Sequence, residues 1–584
     1  MFTAKKTSLF ETTTSKKQTT SVSTMTVPNQ PFIRHGIEKS SETMSGNLSK
    51  KYVTSGSNFV DQFASVSRYR DPRSFEDVSN DMRILWAQNS LLALGLLFYI
   101  RTITRVVQLF DGSKTKTVQR GQGLKHEGIF RFIWVAVNYP DTFWKNIDLF
   151  ISVGSWKDIF VMLSYDLQYN GWSGRKLDWK KFGQVILAGL ENPSTTNLVR
   201  KYLPQIKTNS RCRTLESQAD NIIAKWICSL LFGETDSNGS TYKKYRKLKS
   251  SGTAHEWQQL ISQEKFLEID FDSIHGRALS LLVSGKFLKN QKLESRYEEW
   301  ITSRPVAKFT GFVHELIQGK VYSALTSYQK HTINAQFNQL VEVAKKNLST
   351  QGIRPISVLD CSGSMSSRMY IGNGKVGTLK SIEVAFSSAI FFNEMIGQRS
   401  PFKDFYLAFS NGTEMHQFHP GGFVDKYFNT QRRGWGGTNF ASVFQFLADF
   451  KRKNPHVSEE LIPNFIVVFS DGEFDFVLNN KHESISNVEA GRIILRDAGF
   501  SRDYYENFGM CFVDLPNNFY YAKPSVKFEA FADTKNVFYF SGYDLSPLAF
   551  LFGVEGKTME SIPKTADELF LAAMDQEILN MLTI

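Results

Sequence analysis

Asp360-Cys361-Ser362-Gly363-Ser364 places one carboxylate and two hydroxyls on a tight turn, directly after the strand-like run Pro355-Ile356-Ser357-Val358-Leu359. Such a D-x-S-x-S cluster offers hard oxygen donors. These suit a divalent cation such as Mg²⁺ or Mn²⁺, which keeps part of its water shell. Two later segments add to it. Gly436-Gly437-Thr438-Asn439 is a flexible loop carrying a hydroxyl to the mouth of a predicted helix, whose apolar positions are Phe440, Val443, Phe444, Phe446 and Leu447. Phe465-Ile466-Val467-Val468-Phe469 is the continuous apolar run expected of a strand buried on both faces, and it ends in Ser470-Asp471-Gly472. Each segment brings an oxygen ligand to a strand end or loop, the edge at which open α/β sheets bind ligands. The plainer alternative is that Asp360 and Ser362 cap one turn and Asp471-Gly472 makes another.

In this order the three segments resemble the metal-ion-dependent adhesion site of von Willebrand factor A domains. The resemblance implies that Ser362, Ser364 and Thr438 ligate the metal directly, while Asp360 and Asp471 bind it directly or through its waters. It also implies a remaining position open to an acidic residue donated by a protein partner.

The elements around these residues read as a doubly wound α/β domain over 351–584. Leu379, Ile382, Ala385, Phe386, Ala389, Ile390 and Phe392 recur at near-helical spacing, so a helix should follow the first ligand loop. Phe405–Phe409 and Met415–Phe418 flank Ser410-Asn411-Gly412-Thr413, a hairpin signal. Met510–Asp514 and Val537–Gly542 read as further strands, and a closing helix is expected over Ala566–Met581.

A chain of 584 residues exceeds what one core usually organises. Charge is uneven along it. Residues 351–584 hold 21 Lys/Arg and 27 Asp/Glu, a net of −6; the remaining 48 basic and 30 acidic residues give 1–350 a net of +18. Such an excess attracts a polyanion, and RNA is the natural candidate. Solvation of helix surfaces by lysine is the simpler account. The clearest cluster is Lys243, Lys244, Arg246, Lys247 and Lys249, with Tyr242 and Tyr245 interleaved as stacking rings. Lys114, Lys116, Arg120, Lys125 and His126 form a looser one.

Residues 58–350 read as largely helical, over 85–100, 129–137, 143–150, 156–165, 182–190, 222–231, 267 onward and 322–348. Antiparallel pairs of such helices suggest a HEAT-like α-solenoid, so the fold class expected is α + α/β. Gly121-Gln122-Gly123, Val153-Gly154-Ser155-Trp156-Lys157-Asp158 and Tyr245-Arg246-Lys247 are similar to segments of TROVE-type proteins, the Ro autoantigen family, in a viral, bacterial and plant branch of that group. That resemblance spans 58–584. It implies a helical ring joined to a von Willebrand A domain and the binding of small noncoding or misfolded RNAs, as a ribonucleoprotein.

Residues 1–57, rich in Ser, Thr and Lys, are expected to be a flexible basic tail, with an organellar transit peptide as the second choice. The four cysteines form no CxxC pair, which favours a reducing, cytoplasmic setting. The longest apolar run, Leu91–Ile100, falls short of the roughly 20 residues a membrane span needs, so a soluble protein without a membrane partner is expected. No enzyme is expected. His314-Glu315-Leu316-Ile317-Gln318 has Gln where a zinc protease needs its second histidine, and Gly372-Asn373-Gly374-Lys375-Val376 lacks the Ser/Thr of a phosphate loop.

Overall fold

The computed structural model describes residues 42–44, 50–52, 54–65, 74–102, 105–108, 115–118, 121–170, 174–207, 212–233, 239–252, 256–274, 276–309, 311–345, 352–370, 376–430, 436–475, 477–478, 481–515, 528–541, 545, 548, 551–552, 563–574 and 576–584. Two compact units divide the chain: Arg73–Ile274 with Gln576–Ile584, and Ser23–Pro72 with His275–Asp575. The first is helical and the second is built on a mixed sheet, an α plus α/β organisation.

The helical unit contains α1 (Phe75–Gln88), α2 (Ser90–Arg101), α3 (Lys125–Asn138), α4 (Trp156–Asn170), α5 (Trp179–Glu191), α6 (Leu215–Phe232) and α7 (Ser240–Ser250). The helix expected over 85–100 is two helices split at Asn89. Its N–H caps Leu85 at the end of α1, and its side chain accepts from Leu92 N at the start of α2. Ala93 to Ile100 are buried throughout, so the apolar run is a core helix. Among the described residues no helix is long and apolar enough to cross a membrane.

The glycine-rich segment before α3 serves this packing. Gln122 and Leu124 donate to the carbonyls of Tyr99 and Ile100, and Gly123 to that of Thr102, so the segment caps the end of α2. A Cβ on Gly121 would lie 2.0 Å from the Tyr99 oxygen. The Ser155–Asp158 segment is likewise structural. Asp158 is buried at the start of α4, accepts from Ser155 N at 3.1 Å, and is paired with the buried Arg101 guanidinium, whose Nε lies at 3.0 Å.

From Leu267 onward the expected helix is replaced by two 3₁₀ turns, Phe266–Glu268 and Phe271–Ser273. Asp270 explains the second: its side chain accepts from Asp272 N and its carbonyl from the Ser273 hydroxyl, bonds that compete with a helical ladder. The closing helix is also divided. Ala566–Ala573 stays with the sheet unit, whereas Gln576–Met581 joins the helical unit, where Thr583 and Asn146 exchange hydrogen bonds of 3.0 and 2.6 Å.

In the sheet unit, β1 (Pro355–Asp360), β2 (Phe405–Phe409), β3 (Thr413–Gln417), β4 (Phe465–Ser470), β5 (Gly509–Asp514) and β6 (Val537–Ser541) lie in the order β6-β5-β4-β1-β2-β3. All pairs are parallel except the β2–β3 hairpin. Every residue of β1 and β4 is buried, as their unbroken apolar runs require, while β3 is a half-exposed edge. From β1 the chain moves outward to β2 and β3, then returns to the other side of β1 for β4. The switch point of the sheet therefore lies between β1 and β4.

The unit's packing takes in more chain than the sequence division at 350 suggests. The helix Ser327–Lys345 belongs here: Phe337 stacks on Phe423 at 4.1 Å, and Asn334 accepts from Val424 N at 3.0 Å. Part of the expected tail is also built in. Glu42–Met44 pairs antiparallel with Lys50–Tyr52, and Ala532 N donates to Ser55 O at 2.8 Å. Residues 1–41 lie outside the described residues.

Removing the Asp158 carboxylate strands the Arg101 charge in the core. Asp158→Ala is expected to cost about 3–5 kcal/mol, read as a lowered urea midpoint for loss of helical circular dichroism in the full chain.

Candidate metal centre and basic surface

The D-x-S-x-S turn leaves the C-terminal end of β1, and Ser470-Asp471-Gly472 leaves the adjacent end of β4, so the two meet at the switch point. Asp360 is fully buried. Its Oδ1 accepts from Ser362 N at 2.9 Å and its Oδ2 from the Ser470 hydroxyl at 2.5 Å. Ser362 and Ser364 hydroxyls lie 3.0 Å apart, and Ser364 also bonds the Asp471 carboxylate. Four of the five predicted donors thus share one hydrogen-bonded cluster.

Thr438, buried, is tied to the cluster through its backbone. Gly363 N donates to Gly436 O at 3.3 Å, joining the two loops. Thr438 N donates to Asp475 Oδ2 at 3.0 Å, and Asp475 N returns a bond to Thr438 O at 2.9 Å. The paired glycines permit this approach: Asn411 of the β2–β3 turn accepts from Gly437 N at 2.7 Å, and a Cβ on Gly436 would lie 2.6 Å from Asn411 Nδ2. Beneath the loop, Phe440 stacks on Phe474 at 4.6 Å and meets Phe409 and Phe512 edge-on, which fixes its height above the sheet.

Three further participants appear. Ser470, part of the expected Ser-Asp-Gly strand end but given no role there, bonds Asp360. Nothing in the spacing marks Asp475, which reaches Thr438 only once the loop has folded back. Lys51 comes from the segment expected to be a tail. Its ammonium is buried, donates to Gly472 O, pairs with Glu529 at 3.2 Å and lies 4.6 Å over Phe474.

Electrostatics at the cluster are unfavourable without a cation. Burial raises the Asp360 carboxyl above its ordinary value, against hydrogen bonds from Ser470 and Ser362, and the Asp475 charge adds to the rise. Burial and then the Asp360 charge push Asp471 up to about 7. Two neighbouring carboxylates, one buried and one half-buried, lose their repulsion when a divalent cation sits between them. The donors at hand are carboxylate and hydroxyl oxygens, which fit Mg²⁺ or Mn²⁺. Among the described residues no group of three or more His, Cys, Asp or Glu could hold a metal, so a cation held here would need the hydroxyls of Ser362, Ser364 and Thr438 beside the carboxylates.

The basic cluster of the helical unit lies on α7. Lys243, Lys244, Arg246 and Lys247 are exposed along one side, and among the described residues none meets a carboxylate. Tyr245 is no stacking ring: it is fully buried, with its hydroxyl on Pro204 O at 2.9 Å. Lys249 is diverted as well, its amine donating to the carbonyls of Lys201 and Leu203 at 3.1 and 2.5 Å. Lys125 is partly buried 3.6 Å from Asp158, and Arg120 lies outside the described residues.

The sequence model of a domain of unknown function (DUF7788) matches residues 354–573, a span that includes all five predicted metal donors. A search of curated proteins finds no match.

Because Asp471 holds its proton more tightly folded than unfolded, its contribution to stability is present below about pH 4 and is lost as pH rises through about 7. The chelator-treated protein is expected to lose melting temperature between about pH 5 and about pH 7.5, and Asp471→Asn to flatten that fall. Added Mg²⁺ or Mn²⁺ should raise the melting temperature at the upper pH and much less at the lower one.

Proposed function

We propose that the sheet unit is a von Willebrand A-type interaction domain. In this reading Ser362, Ser364, Thr438, Asp360 and Asp471 hold Mg²⁺ or Mn²⁺, which captures an acidic group of a protein partner at its open position. The observation that carries it is the convergence of the buried Asp360 carboxylate, the half-buried Asp471 carboxylate and the Ser362 and Ser364 hydroxyls on the switch point of the sheet, with the Thr438 loop bonded to them. The cation would supply electrostatic attraction for a carboxylate. The chain's own residues position it and keep the turn rigid, with Lys51 and Asn411 as braces. No nucleophile with an adjacent base is part of this reading, which is one of binding and not catalysis.

A second function, holding RNA on a HEAT-like helical unit as in Ro-like ribonucleoproteins, is favoured by the exposed quartet Lys243, Lys244, Arg246 and Lys247, which meets no carboxylate among the described residues, and by the net charge of +18 in residues 1–350. It is independent of the metal, and the metal-dependent capture of a protein partner stands without it.

Calorimetry of the full chain with Mn²⁺ is expected to show uptake of about one equivalent, with Thr438→Ala weakening it by about tenfold or more. Absence of uptake by the wild-type protein would overturn the first reading. For the second, nucleic acid copurifying at low salt is expected to be RNA. Reversing the four α7 charges to Glu should release it and reduce the steepness of its salt dependence by about four counterions. Unchanged retention would exclude α7 as the RNA surface.

A further inference from the structure

The sheet unit holds a second concave site that owes nothing to the metal reading. The helices Arg277–Ser284 and Ser327–Lys345 and the segment Val321–Leu325 enclose a cavity of about 760 Å³, a volume typical of small-molecule sites. Phe309, Leu316, Leu325 and Ile333 contribute apolar wall. At the mouth, Leu281 and Val321 are 73% and 63% exposed, so an apolar ligand would remove from water side chains that the fold leaves there.

The polar groups of the wall are mostly spoken for. The Ser280 hydroxyl donates to Gln336 Oε1 at 2.9 Å, Gln329 Nε2 to Val283 O at 3.0 Å and the Thr332 hydroxyl to Tyr328 O at 2.7 Å. The Arg277 guanidinium is neutralised by Glu315, with Nε at 3.2 Å. Lys320 differs. It lines this cavity and also a neighbouring one of about 390 Å³ that Glu383, Tyr427 and Thr430 border. Among the described residues no carboxylate pairs with its ammonium, and burial lowers its pKa. A half-buried cation that meets no carboxylate among the described residues, in the wall of a cavity with an apolar side, sets both the sign and the shape of what would bind.

We propose that this cavity binds a small amphipathic monoanion, a long-chain carboxylate, with its chain along the apolar wall and its head on Lys320. Among the described residues of the wall Lys320 is the cation that meets no carboxylate, which matches one negative charge, and the hydrogen bonds already made by Ser280, Gln329, Thr332 and Gln336 leave most of the ligand to be hydrocarbon. The site is separate from the β1–β4 edge, so its failure and that of the metal reading are told apart by which ligand ceases to bind.

Calorimetry of the full chain with dodecanoate below its micelle concentration is expected to show a single saturable site. Lys320→Ala should weaken it by about tenfold or more, while Lys320→Arg keeps most of the affinity. Ala324→Trp, at an exposed position of the lining that tolerates bulk without entering the core, should abolish it. Dodecanol and dodecyltrimethylammonium should bind the wild-type protein more weakly than dodecanoate. The proposal fails if dodecanoate does not bind, if it binds Lys320→Ala or Ala324→Trp undiminished, or if the cationic amphiphile binds as well as the anion.

Discussion

Asp360, fully buried, and Asp471, half-buried beside it, stand at the point where the sheet reverses its winding direction. Much of the sheet unit's detail follows from holding two like charges there. Oxygen and nitrogen donors gather on them: Ser470 and Ser362 on one carboxylate, Ser364 on the other. Hydrogen bonds of this kind temper the repulsion without removing it, since both carboxyls remain above their ordinary values. A structure that keeps such a pair is suited to a cation, and this is the physical content of the metal proposal.

Keeping the pair in place draws on residues from distant parts of the chain. The buried, unbroken strands β1 and β4 bring the two aspartates to the same end of the sheet, Asp360 as the last residue of β1 and Asp471 just past the last residue of β4. Asn411 on an adjacent hairpin supports the Gly436-Gly437 loop, and the Phe440–Phe474 stack lies under it. Lys51 grips the carbonyl of Gly472 from a segment far away in sequence, and its charge is balanced by Glu529 and not by the aspartates. The braces are therefore electrostatically separate from the cluster they steady.

The helical unit shows the same economy in another form. The glycine-rich segment at 121–123 and the Ser155–Asp158 segment, which invite a functional reading as sequence, are used to cap α2 and to bury an Arg101–Asp158 pair. On α7 helical spacing puts Tyr245, whose ring is committed to the core, on the face opposite the four solvated cations. What is left at the surface is charge without aromatic partners from that helix's buried side, and it suits phosphate contacts better than base stacking.

The α plus α/β class, the β2–β3 hairpin and the buried strands were readable from residue types, because buried parallel strands demand unbroken apolar runs, and the meeting of Asp360, Ser362, Ser364 and Asp471 follows from β1 and β4 ending side by side. Helix ends and breaks were read less well: Asn89 splits one expected helix and Asp270 replaces another by turns, through side-chain bonds that a periodicity count does not register. Tertiary structure alone decided that Lys51 braces the cluster, that Ser470 and Asp475 bond to it, that Tyr245 and Lys249 leave the basic surface, and that the last residues return to the helical unit. Each of these depends on contacts between segments remote along the chain, and spacing along a chain carries no information about which remote backbone will fold back to meet it.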